Sequence, residues 1–137
     1  MDISNRVLGK LTMTYLILAA GILSAIITLI HVFIGGPEVA RPLLAADDLD
    51  KRPKYTAYYC WHLTSISLGV MSLLFLWPSL WGGSPDLAIV GSFMAVLFCF
   101  WGIFLQTFPK SELTFADLPQ GWMFAPVAVL GVWGSLF

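Results

Sequence analysis

His31 and His62 are the chain's only histidines, and each sits near one end of a long uncharged stretch. His31 opens the run His-Val-Phe-Ile-Gly-Gly-Pro-Glu at 31–38, and His62 closes Tyr-Tyr-Cys-Trp-His at 58–62. An ionisable side chain within a membrane-type apolar segment is costly, and such residues mark functional sites by default. A neutral imidazole from each of two facing helices would supply the axial bonds of a haem, and one alone would hold the magnesium of a chlorophyll-type pigment. With Glu38 as an oxygen donor, the same pair would form a small transition-metal site for zinc, iron or copper. Glu38 would otherwise orient one imidazole from behind. A third chemistry is passage of a proton or small solute past His31 along Thr28, Ser24 and Ser65. The architectural alternative has the imidazoles bonding each other, Tyr58 or Glu38 and fixing helix register, a contact that averages about 0.6 kcal/mol in measured membrane proteins.

Composition restricts what can position these residues. The 137 residues are 58% hydrophobic and 11% charged, with a mean hydropathy of +0.84, whereas soluble domains run to roughly 45–50% apolar and about 25% charged. This is the composition of an integral membrane protein. Seven basic and eight acidic residues leave a net charge of -1 without a long run of either sign, which argues against a nucleic-acid partner. Cys60 and Cys99 lie in apolar stretches without metal-ligand spacing and read as packed thiols. Nothing supports hydrolytic catalysis, for want of an activated serine or cysteine nucleophile, a phosphate-binding glycine loop or a carboxylate within the spans, and an enzyme is possible only through the metal reading. Arg6 and Lys10 precede an apolar run far longer than the roughly 7–15 residues of a signal-peptide core, so the sequence predicts a retained helix.

The expected fold is all-α: one domain, 1–137, of four transmembrane helices in an antiparallel bundle, near 11–34, 56–77, 87–107 and 120–137, with both termini on one side. Gly35 and Gly36 are expected to break the first helix. Pro37 would then begin a short interfacial helix over 37–46, with Glu38 in its first turn, where the helix dipole favours an acid. A mixed-sign loop follows from Asp47 to Lys54. The second helix should stop at Pro78, and Trp77 and Trp81 should lie at headgroup level. Pro109 and Lys110 close the third helix, and a polar linker over Ser111–Pro119 leads to a last helix that contains Pro126, a residue membrane helices tolerate when neighbours satisfy the freed carbonyl.

Small and polar residues recur at spacings of three and four, as Gly21, Ser24, Thr28 and His31 in the first helix and as Tyr58, His62, Ser65, Gly69 and Ser72 in the second. Such spacings share one face, and membrane helices pack through small residues. The pattern predicts that these two faces meet and bring His31 and His62 together at similar depth. Gly91, Ala95, Cys99, Gly102 and Gln106 in the third helix, with Gly121, Ala125 and Ala128 in the fourth, permit close approach there too. Arg41, Lys51, Arg52, Lys54 and Lys110 flank the histidine end, against Arg6 and Lys10 at the other, which by the positive-inside rule puts the histidine-side loops in the cytoplasm. The N-terminal basic pair pulls the other way.

His31, Gly35, Gly36, Pro37 and Glu38, followed by Arg41-Pro42-Leu43-Leu44 and then Trp61-His62, resemble the corresponding stretch of small bacterial four-helix membrane proteins of unassigned function. The resemblance covers the first hairpin and implies a bacterial inner-membrane location, but no activity. With so little mass outside the lipid, the expected partners are membrane lipid and either a larger membrane assembly, to which this chain would be an accessory subunit, or further copies of itself. Trp122, Phe124 and Trp133 are the candidate contacts.

Overall fold

The computed structural model describes residues 3–108, 114 and 116–136. Helix makes up 87% of the described residues, and no strand occurs among them, so the fold is all-helical. Its elements are α1 (Ile3–Ile30), a π-helical segment (His31–Ala40), α2 (Arg41–Ala45), α3 (Lys51–Trp81), α4 (Asp86–Gln106) and α5 (Gln120–Leu136). Three stretches, Val7–Ala45, Lys51–Trp81 and Asp86–Gln106, are long and apolar enough to cross a membrane.

The first helix departs from expectation at both ends. It starts at Ile3 rather than near 11, and its 28 residues reach about 42 Å at 1.5 Å per residue. It also does not break at Gly35 and Gly36. The helix widens over His31–Ala40 and carries Pro37 inside it, and the Arg41 N–H bonds the carbonyl of Gly36, five residues back. A proline in an α-helix has no N–H to donate, and its ring strikes the carbonyl four residues back. The wider π pattern moves that carbonyl away. The expected interfacial helix over 37–46 is therefore the end of this continuous rod, which finishes in α2.

The other helices also overrun their expected ends. α3 starts at Lys51 rather than near 56, and Pro53 lies in its first turn, where N–H groups have no partner within the helix. It passes Pro78 to end at Trp81. Ser79 Oγ, just past the proline, donates to the Phe75 carbonyl at 2.8 Å. Gly82 and Gly83, with φ of 74° and 151°, then turn the chain in conformations that side-chain-bearing residues avoid. At the start of α4 the Asp86 N–H donates to Ser84 Oγ at 3.2 Å, and Ser84 Oγ donates to Asp86 Oδ2 at 2.6 Å. Ser111, Glu112, Leu113 and Phe115 of the expected Ser111–Pro119 linker lie outside the described residues, as do Pro109, Lys110 and Phe137. Within the described part, the Thr114 hydroxyl and then its amide N–H bond Asp117 and hold that carboxyl below its usual range.

α1 packs against α3 and α5, and α4 packs against α5 and α3. Phe75 of α3 lies where all four long helices meet and is fully buried. A Cβ built on Gly21 of α1 would stand 3.0 Å from the Phe75 Cβ, one on Gly91 of α4 3.1 Å from its ring, and one on Gly131 of α5 2.8 Å from its ring. One large side chain thus fills the space that three glycines leave. Around it the interior holds mostly small side chains, Ala20, Ser24, Ser72, Ala88, Ser92, Ala95 and Ala128, while Ile22, Ile26, Phe93, Phe100 and Trp133 face outward.

Candidate functional site

The polar residues of α1 and α3 collect along one seam. Ser24 is fully buried, and its Oγ lies 3.0 Å from Ser72 Oγ. Ser72 Oγ donates to the Leu68 carbonyl at 2.9 Å. With that proton committed, Ser24 is the donor between the two serines. Thr28 Oγ1 donates to the Ser24 carbonyl at 2.9 Å and stands 3.3 Å from Ser72 Oγ. Nearer the histidine end, Ser65 Oγ donates to the Trp61 carbonyl at 3.0 Å and lies 3.1 Å from His31 Nε2. Where Ser65 gives its one proton to that carbonyl, His31 Nε2–H is the donor between the two side chains. Thr28, Ser65 and Ser72 each also bond a carbonyl of their own helix, and the contacts Ser24–Ser72 and His31–Ser65 tie the two helices together.

His31 also stacks on Trp61, with ring centroids 4.0 Å apart and planes 17° from parallel. The far edge of the indole covers Gly35, where a Cβ would stand 2.8 Å from Trp61 Cη2. His62 lies elsewhere. It is exposed, and among the described residues its ring contact is with Tyr58, edge-on, at 4.5 Å and 84°. No ring contact or hydrogen bond joins the two imidazoles.

The expected meeting of the histidines fails by one helical position. With 3.6 residues per turn, Trp61, Ser65, Leu68, Ser72, Phe75 and Ser79 form one stripe facing α1 and the core. His62 and Gly69 follow Trp61 and Leu68 and are turned about 100° to the flank. A Cβ on Gly69 would meet nothing within 4 Å, so Gly69 is not a packing residue, and Tyr58 is half-buried beside the stripe. On α1 the expected seam residues Gly21, Ser24, Thr28 and His31 all face α3. Glu38 is exposed on the π segment. No group of three or more His, Cys, Asp or Glu side chains able to hold a metal ion forms among the described residues. The metal triad of His31, His62 and Glu38 is therefore not assembled, because His62 points to the flank and Glu38 outward.

Known protein families, curated proteins and solved structures offer no match to this chain.

A second seam joins α4 and α5. Ser92 donates to the Ala88 carbonyl at 2.7 Å and Ser135 to the Gly131 carbonyl at 2.6 Å, with 3.3 Å between the two hydroxyls. Towards the histidine end, Gly102 and Gly121 let the backbones touch, and a Cβ on Gly102 would come within 2.5 Å of the Gly121 Cα. Gln106 closes this end by donating from Nε2 to the Leu118 carbonyl at 2.8 Å. Cys60 is exposed and Cys99 half-buried, both as free thiols.

Trp61 is the residue that reading for small and polar groups missed. Its spacing of four from Ser65 was the available signal, because the set 61, 65, 68, 72, 75 contains the same serines as the expected stripe.

Proposed function

We propose that this is a small integral membrane protein whose four long helices cross the bilayer antiparallel, and that it serves as an accessory subunit of a larger membrane assembly or as a homo-oligomeric bundle. What supports this reading is the distribution of side-chain size. Beside the large buried Ile27, Leu68, Met71, Phe75, Phe124 and Val127, the interior holds the small Ala20, Ser24, Ser72, Ala88, Ser92, Ala95 and Ala128, and the outer face carries Ile22, Ile26, Leu29, Phe93, Phe100 and Trp133. In water the large apolar side chains would pack inward. In lipid no hydrophobic drive acts between helices, and small residues that permit close backbone approach gather at their interfaces.

At 17 residues, α5 reaches about 25 Å, short of a hydrocarbon core of roughly 30 Å, and local bilayer thinning accommodates such a mismatch at modest cost. The basic residues Arg41, Lys51, Arg52, Lys54 and Lys110 favour a cytoplasmic histidine end in a bacterial inner membrane. The connection between α3 and α4, residues 82–85, is too short to recruit a soluble partner. That leaves membrane-embedded faces as the surface for association. Haem ligation by the histidine pair has no support in the contacts, since His31 Nε2 is engaged with Ser65 and His62 faces away.

Extraction in a mild detergent followed by native mass measurement tests the proposal. A defined oligomer or a complex with another membrane protein is expected. A stable monomer that co-purifies with no protein would overturn it.

A further inference from the structure

The widened helix at the histidine end needs a cause beyond its proline. Ten consecutive residues take the π pattern, whereas π geometry ordinarily appears as a single-turn bulge, often at functional sites. Pro37 accounts for the turn around itself. Its ring bears on the Phe33 carbonyl, four residues back, which leaves the widening at His31 and Val32 to be explained, just where Trp61 of α3 touches this segment. The indole lies flat on the His31 ring at 4.0 Å, and its far edge sits in the notch that Gly35 leaves by lacking a Cβ. Both contacts fall on the turn where the helix opens, and His31 is anchored in place by Ser65, one turn beyond Trp61 on α3.

We infer that Trp61 is the wedge of a two-state helix end: seated between His31 and Gly35 it holds the turn ahead of Pro37 in the wide form, and when it withdraws that turn tightens, the wide pattern being kept only around Pro37. The number of residues per turn differs between the two forms. Winding therefore rotates everything beyond Ala40 about the helix axis. Glu38 and Arg41 would swing to a new face, and α2 would turn against the start of α3, where Lys54 Nζ now donates to the Leu44 carbonyl at 3.3 Å. A membrane-side contact at Trp61 would thus be read out as movement of charged groups in the histidine-side loops. This is a conformational switch that any partner displacing the indole would throw.

The test is a distance measurement on the full chain in lipid nanodiscs, with nitroxides at Ala45→Cys and Leu73→Cys in a background carrying Cys60→Ser and Cys99→Ala. The parent should give one distance population. Trp61→Ala should give a second, shifted population. Gly35→Ala, which expels the indole without removing it, should give the same shifted population even if Trp61→Ala fails to fold. Adding Trp61→Ala to Gly35→Ala should then move the distance no further. An unchanged single distance in Gly35→Ala or in a folded Trp61→Ala would overturn the inference, as would a shift produced by Pro37→Ala alone and by neither of the others.

Discussion

Ser24 of α1 and Ser72 of α3 meet Oγ to Oγ at 3.0 Å in the middle of the bundle, with both side chains buried. Each serine leaves little side-chain volume between the two backbones, and the bond between them sets the helix register. Serine to alanine at either position should cost little, about 0.6 and at most about 1.7 kcal/mol, as measured for interhelical bonds in membrane proteins. Ser24→Leu should cost more than either, because its extra volume has to be accommodated between packed helices. Unfolding of the three variants in mixed detergent micelles checks the order.

Gly102 and Gly69 look alike in the sequence and should behave oppositely. A methyl at Gly102 would lie 2.5 Å from the backbone of α5, while one at Gly69 would meet nothing. Gly102→Ala should destabilise by at least about 1–3 kcal/mol, the usual cost of overpacking, since backbone yields only if the helices part. Gly69→Ala should be neutral or stabilise by up to about 1 kcal/mol through helix propensity. Thermal unfolding of the two variants in one detergent makes the comparison.

The histidines should likewise prove unequal. His31→Ala loses the bond to Ser65 and the stack on Trp61 and should lower stability by about 1–3 kcal/mol, within the range of single substitutions that act through a named contact. His62→Ala removes an exposed ring and should stay within about 0.5 kcal/mol. A cofactor shared by the pair would make both variants lose the same absorption band, so spectra of the two alanine variants check the contacts as well as the stability.

Much of this fold could be read from the chain because long apolar helices announce themselves by length and lack of charge. The seam residues of α1 could also be read, since Gly21, Ser24, Thr28 and His31 are small or polar on an otherwise large apolar helix. The stripe on α3 could not be placed by that rule. Two stripes share Ser65 and Ser72, and the one that packs uses Trp61, Leu68 and Phe75, large residues of which Trp61 and Phe75 are seated against glycines of neighbouring elements. Which large residue fills which notch depends on the partner helix, and spacing within one helix does not carry that information. The continuation through Gly35, Gly36 and Pro37 was hidden for a similar reason. These residues end a helix in water, but here Trp61 packs over Gly35 and the wider hydrogen-bond pattern accommodates the proline.

The measurement that bears most directly on the account is nitroxide accessibility along α1 in a lipid bilayer, scanned one residue at a time from Ala20 to Leu29. Ala20, Ser24 and Ile27 are buried, and Ile22, Ile26 and Leu29 are about half exposed. A lipid-facing helix should show collisions with dissolved oxygen that peak at 22, 26 and 29 and fall at 20, 24 and 27, while a water-soluble nickel chelate reaches none of them. Nickel collisions at 22, 26 and 29 as frequent as those with oxygen would put that face in water and contradict the membrane bundle.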